Sequence, residues 1–403
     1  MRKNRSVRQN TIALLFSRLT AQGLAIIFVA ILARRFGVET FGRFTFFAAL
    51  VLIGNTFTNF GTDTYLIREI SRAGKITSLL PGAFGLQIVL SSLWWLATLF
   101  LQPEPELLLY ALVLFPLAMI SVSTSSLRAL ERMDLVWTIS LANGTFQILA
   151  ALFSDDLWTL CVYLLVGQLF LAGVSYWLCT VSLEAFQLFP INDIRPLLRA
   201  TLPFAVLTIL LVLSQRLGIL SVSLLLNDSS TGLFSSVARV VDGLKLGHYA
   251  VLGALLPVIS RGTREAKQRF RSGFGLLMGL SLIMAIGLSL FPRVVILILY
   301  GNDFSQAIGL LAFLGWSLLP YTISSFISYD LISREKEVTL VKATTVSLSV
   351  FLVFYLWLIS IYGLNGAIYA TLAGEVFQAV IFIYFGQRSG TTIPTLTTKE
   401  SLK

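Results

Sequence analysis

The chain of 403 residues is 56% hydrophobic and only 12% charged, with a mean hydropathy of +0.84. That balance excludes a soluble globular domain and indicates an integral membrane protein. A net charge of +10 does not indicate a nucleic-acid binder, because the basic residues lie between apolar runs rather than on one water-facing surface.

At the N-terminus, MRKNRSVRQN leads into an apolar run from Thr11 to Ala33. The run is too long for a signal-peptide core and closes on Arg34 and Arg35, so it reads as a retained first span. Stretches of about 20 mostly apolar residues then predict spans at 11–33, 44–62, 79–101, 107–126, 135–153, 157–178, 201–226, 232–259, 273–292, 305–332, 338–361 and 363–385. The sequence predicts twelve helices, with room for an extra interfacial segment around FPRVVILILYGNDF. Cys161 and Cys179 fall at opposite ends of one predicted helix, about 27 Å apart at ~1.5 Å per residue, too far for a disulfide. Neither looks like part of a metal site.

Orientation follows from Lys and Arg in the connections. With the N-terminus inside, the inner segments hold 21 of them and the outer segments only 4, namely Arg34, Arg35, Arg43 and Arg293. Both termini are therefore expected in the cytoplasm. The outer connections QPEPE, SDD and NDSST are short and leave no outer domain to house chemistry. The longest inner linker, Thr180 to Ala200, divides the chain into an N-terminal six-helix lobe (1–179) and a C-terminal one (201–385), followed by a polar tail (386–403). GRFTFFAAL at 42–50 aligns with GLFSSVARV at 232–240 at an offset of 190, and GAFGLQIVLS at 82–91 aligns with SGFGLLMGLS at 272–281 at the same offset. Six spans per copy make the copies parallel. The expected fold is all-α integral membrane, about twelve transmembrane helices in two parallel-repeat six-helix lobes around a central cavity.

Several ionisable residues lie within the predicted spans, where a charge is costly and implies water, a partner or a ligand. Arg216 follows Gln215 just past the centre of span seven, too deep for easy snorkelling. Arg239, Asp242, Lys245 and His248 in span eight are spaced by three, so each neighbours the next on one slowly drifting face. Arg18 lies a third of the way into span one and Glu375 near the middle of span twelve. Each also has a structural reading. Arg216 pairs with Glu375, Arg18 snorkels to the inner interface, Arg239 stands in outer-surface water, Asp242 neutralises Arg239 and Lys245, and His248 is a packed polar residue. Read functionally, Arg18, Arg216, Arg239 and Lys245 outnumber Asp242 and Glu375, and a cavity lined by them favours an anion. Guanidinium forks suit phosphate. Asp242, His248 and Glu375 are the candidates for ion coupling.

The stretches RFGVETFGRFTFFAALVLI (35–53), FGTDTYLIREISR (60–72), TGLFSSVARVVDGL (231–244), LPVISRGTREAKQRF (256–270) and YGLNGAIYATLAGEVFQ (362–378) resemble, in order and spacing, the oligosaccharide flippases of polysaccharide biosynthesis. That family shares a superfamily with the MATE exporters and the peptidoglycan lipid flippases. The resemblance covers nearly the whole chain and is more specific for the superfamily than for the cargo. It implies translocation of an undecaprenyl-pyrophosphate-linked oligosaccharide to the outer leaflet of the bacterial inner membrane by alternating access. It also implies membrane lipids as partners, with a polymerase and a chain-length regulator of the same pathway alongside. The family's span-eight Arg and acidic positions map onto Arg239 and Asp242. In span seven members often carry Arg followed two residues later by Asp, whereas here Leu217 and Gly218 follow Arg216. A coupling role is therefore not carried over to that helix. Twelve spans rather than fourteen argue against a peptidoglycan lipid flippase.

Two other readings stand beside this one. A drug or metabolite exporter of the same superfamily fits a cationic lumen poorly when the cargo is an organic cation. A membrane-embedded polymerase usually presents a large outer loop or an acidic metal motif, and the sequence has neither. It also has no Gly-rich phosphate loop, nucleophile with base, or metal-ligand cluster, so no enzyme and no cofactor are expected.

Overall fold

The computed structural model describes residues 7–73, 79–101, 104–182, 195–259, 264–334 and 336–388. Most of the expected linker and nearly all of the tail lie outside them. In a membrane every backbone polar group must be satisfied within the segment, which favours helices, and no strand occurs among the described residues. The helices are α1 (Val7–Asn59), α2 (Thr62–Ala73), α3 (Leu79–Leu101), α4 (Pro105–Ala111), α5 (Leu114–Ala129), α6 (Met133–Phe153), α7 (Leu157–Ser182), α8 (Arg195–Leu225), α9 (Asp228–Ile259), α10 (Arg264–Leu290), α11 (Pro292–Leu299), α12 (Ala307–Leu314), α13 (Leu318–Ser333) and α14 (Glu337–Arg388).

Eight stretches of helix are long and apolar enough to cross a membrane. The last of them, α14, is two crossings that meet at Gly363, and α1 is two more that meet at Gly37. With the charge-bearing α9, which at 32 residues is long enough to cross, twelve segments of crossing length occur among the described residues, matching the number expected from hydropathy. At both junctions the glycine is in a positive-φ conformation, φ 71° at Gly37 and φ 57° at Gly363, which other residues adopt only under strain. The segment left open around FPRVVILILYGNDF is α11 followed by a 3-10 turn at Asn302–Phe304, a short apolar insertion between spans nine and ten.

The chain forms two compact units, Met1–Leu213 and Ser214–Lys403. In the first, α2 turns its Leu66 and Ile70 inward beneath α3, α5 and α6, where they join Leu80, Phe84, Val122 and Ile139 in one core. Arg68 and Arg72 on its other face are exposed. In the second unit Leu252, Phe270, Leu277 and Phe326 form a smaller core. Cys161 and Cys179 are both buried and free in α7.

The units repeat an unusual detail. Span four opens with the seven-residue α4, breaks, and continues as the 16-residue α5. Span ten opens with the eight-residue α12, tightens at Gly315–Ser317, and continues as the 16-residue α13. Both end in the same cap, with Arg132 N bonded to Leu127 O and Lys336 N to Leu331 O, each at 2.9 Å. The words matched at an offset of 190 also fall on corresponding helices, 42–50 on the second crossing of α1 against 232–240 on α9, and 82–91 on α3 against 272–281 on α10.

Candidate functional site

The charged stripe of α9 sinks into the second unit as it runs from its start. Asp242 keeps a side-chain exposure of 46% and Lys245 one of 16%, while His248 is 1% exposed. The residues therefore share a face but not an environment.

Lys245 is paired. Its Nζ lies 2.8 Å from Oε1 of Glu375 on α14 and 4.0 Å from Oδ1 of Asp242, and it sits 4.5 Å above the Tyr321 ring of α13. Glu375 is buried, and its Oε2 has no hydrogen-bond partner among the described residues. The structure thus gives Glu375 to Lys245, whereas the structural alternative weighed for Arg216 had paired Glu375 with it. Asp242 has the neutralising position foreseen for it beside Lys245.

His248 is held by hydroxyls. Its Nε2 lies 2.8 Å from Ser281 Oγ on α10 and 2.9 Å from Thr322 Oγ1 on α13, and those two hydroxyls are 2.8 Å apart. Thr322 donates to the carbonyl of Leu318 at 2.7 Å. Nε2 thus meets both hydroxyls, as donor or as acceptor according to the tautomer of the ring. Tyr321 meets the imidazole edge-on at 5.5 Å. This is the geometry of a packed polar residue.

Arg216 on α8 is half-buried, and its Nε is buried with no acceptor among the described residues. Two residues on, Gly218 lets α8 approach α14 closely, since a Cβ there would lie 2.7 Å from Tyr355 Oη and 2.8 Å from the Phe234 ring. Tyr355 Oη is in turn bonded to Thr371 Oγ1 at 2.8 Å. Arg239 is half-buried on α9, nine residues before His248. Arg18 lies in α1, and its side chain is outside the described set.

The sequence reading missed the residues that complete this cluster, Tyr321, Ser281 and Thr322. It also missed a polar cluster in the first unit. There Phe60 and Gly61, with φ 48° and 72°, turn the chain into α2. Asp63 accepts from Ser121 at 2.5 Å and Ser125 at 2.8 Å. Ser121 in turn accepts from Asn59 at 2.9 Å and Gln87 at 3.2 Å. These donors are neutral, so the arrangement anchors α2 to α5 through one satisfied carboxylate. Among the described residues no group of three or more His, Cys, Asp or Glu could hold a metal ion.

Eight helices among the described residues that are long and apolar enough to cross a membrane, with charged and polar side chains gathered inside a unit, define a multi-pass membrane protein. The chain belongs to the polysaccharide biosynthesis protein family, whose description matches residues 7–263. Curated proteins give no significant sequence match. Among solved structures it is similar to the lipid II flippase MurJ in an inward closed conformation, with a TM-score of 0.71 at 13% identity, covering 93% of this chain and 87% of that one. It is also similar to an outward-facing multidrug resistance MATE transporter of the MOP superfamily, with a TM-score of 0.66 at 13% identity, covering 94% and 95%. A MOP superfamily transporter from Pyrococcus furiosus, whose reported binding pocket has reversed polarity, gives a TM-score of 0.62 at 13% identity over 94% and 92%. At these identities the likeness is one of fold, and these neighbours are flippases and transporters rather than enzymes.

Proposed function

We propose that this protein is a flippase that moves an undecaprenyl-pyrophosphate-linked oligosaccharide from the cytoplasmic to the outer leaflet by alternating access, within a bacterial inner membrane and with both termini in the cytoplasm. The observation that carries the reading is membership of the polysaccharide biosynthesis protein family, and the fold shared with a lipid II flippase supports it. Arg216 is the proposed first contact for the diphosphate, because its buried Nε has an unused donor and a guanidinium binds phosphate through charge-assisted hydrogen bonds. Arg239 extends the cationic set within the second unit, and Lys245 contributes once freed from Glu375. The sugars stay hydrated, the lipid tail stays in the bilayer, and no covalent bond is made or broken. We divide the chain functionally at the linker between residues 180 and 200.

A deletion strain tests this reading. It should lose surface polysaccharide and accumulate the lipid-linked repeat unit, with no change in sensitivity to cationic dyes. Intact surface polysaccharide with raised dye sensitivity would instead support the exporter reading, which the likeness to MATE transporters keeps as the second choice. A polymerase would leave single repeat units at the outer surface, and a flippase strain leaves none there.

A further inference from the structure

Glu375 is half-used. Its Oε1 holds Lys245 at 2.8 Å, and its equally buried Oε2 has no partner among the described residues. An ionised carboxylate is tolerated in such a place only while its counter-charge stays. Lys245 is a flexible four-carbon stem with a point charge, and Asp242, far more exposed, offers it a second anchor 4.0 Å away. The ammonium therefore has a route from the buried partner toward the open one. An arriving anion would compete with Glu375 for it.

Resting on the diphosphate cargo proposed above, we propose that Glu375 is a built-in counter-anion for Lys245 that cargo phosphate displaces, and that the displaced carboxylate then takes one proton from water. In the empty site ammonium and carboxylate are paired and neutral. In the loaded site the ammonium faces a phosphoryl oxygen, and Glu375 is a neutral acid carrying O–H. One O–H bond forms on Glu375 as one O–H bond of a hydronium ion breaks and leaves water, so the proton is drawn from the acid of the solvent. Anion binding and proton uptake become one linked event, so each strengthens the other by the same factor.

The neighbours leave Glu375 as the place for this proton. From α9 Lys245 meets it directly, Asp242 and, from α13, Tyr321 lie against that ammonium, His248 follows three residues after Lys245, and on α14 itself Tyr355 feels its charge. On α8, Arg216 precedes the Gly218 that packs on Tyr355. Asp242 is far more exposed than Glu375, the Nε2 of His248 is taken up by two hydroxyls, Tyr355 is bonded to Thr371, and the guanidinium of Arg216 is cationic. The short 3-10 turn at Gly315–Ser317 and α12, which also pack on α14, carry no titratable side chain.

The test is calorimetric titration of the full-length protein in nanodiscs with a water-soluble short-chain prenyl diphosphate, in two buffers of different ionisation enthalpy, to count protons taken up per anion bound. Wild-type should take up close to one proton more than Glu375→Gln, a difference that cancels the ligand's own protonation. Glu375→Gln, freed of the competing charge, should bind about tenfold more tightly. Infrared difference spectra of wild-type should gain a protonated-carboxyl band on binding, which decides the matter even if the variant does not fold. Equal proton counts, or no such band with diphosphate bound, would overturn the linkage and leave the cargo reading standing. Failure of wild-type to bind the diphosphate at all would overturn both.

Discussion

Burial decides what each charge on α9 can do. The spacing of Arg239, Asp242, Lys245 and His248 by three was legible in the sequence, and so was the buried acid Glu375. The pairing of Lys245 with Glu375 was not, because nothing local links residues 130 positions apart. The hydroxyls around His248 were hidden for another reason. Serines and threonines in these helices mostly bond a carbonyl one turn back, as Ser126 does to Val122 and Ser347 to Ala343, each at 2.8 Å. Ser281 and Thr322 look no different until the fold brings them together. Breaking a buried pair from one side leaves an uncompensated charge, so Glu375→Ala should cost about 3 kcal/mol of stability. Glu375→Ala with Lys245→Ala should cost clearly less than the two singles added, as read by thermal unfolding in detergent in a double-mutant cycle. Additive losses would mean that the two side chains do not act as a pair. Arg216→Ala should abolish transport with membrane insertion intact; normal transport would remove Arg216 from the cargo path.

Glycines fix the course of the long helices. The two crossings of α14 meet at Gly363, and Gly366, Ala370 and Gly374 then recur every fourth residue as a buried small face. A Cβ on Gly366 would collide with the Leu358 carbonyl, and one on Gly374 with the Phe351 ring. Small residues at this spacing let helices approach closely where no hydrophobic drive exists between them. Gly366→Ala should therefore cost about 1–3 kcal/mol, because the clash is with backbone that cannot swing away. An unchanged unfolding temperature would show that α14 opens freely at this hairpin. Hydropathy located these spans well, because it reads burial in lipid directly. It did not locate the breaks within spans four and ten, because hydropathy does not register Pro116 and Pro320, which stand one turn past each break and have no N–H to donate to the carbonyls of Leu112 and Trp316. The amphipathic α2 (Thr62–Ala73) was not foreseen as a helix either, because it falls in the connection between the spans expected at 44–62 and 79–101 and carries too many polar residues to register as apolar.

At the scale of the whole chain, the charge bias assigns most basic residues to the inner side, and two of those it assigns to the outer side, Arg35 and Arg43, have structural partners. Arg43 lies 3.0 Å from Glu104 and 3.7 Å from Glu106. Arg35 binds the Leu152 carbonyl and, at 3.1 Å, the Ser154 carbonyl at the end of α6. These cations staple the connections read as outer, a structural reason for their place against the charge bias. Both native cysteines are buried, so single cysteines report sidedness against a quiet background. A membrane-impermeant maleimide should label Asp155→Cys and Asp303→Cys in intact cells, and Arg72→Cys and Arg334→Cys only after permeabilisation. The opposite pattern would invert the topology and with it the direction of transport. The most direct measurement of the account places purified protein in liposomes with a lipid-linked oligosaccharide on one known side and a lectin reporting its arrival on the other, with and without a pH gradient. The account predicts transfer by wild-type, none by Arg216→Ala, and a rate that responds to the gradient; a wild-type protein that leaves the oligosaccharide where it was placed would contradict it.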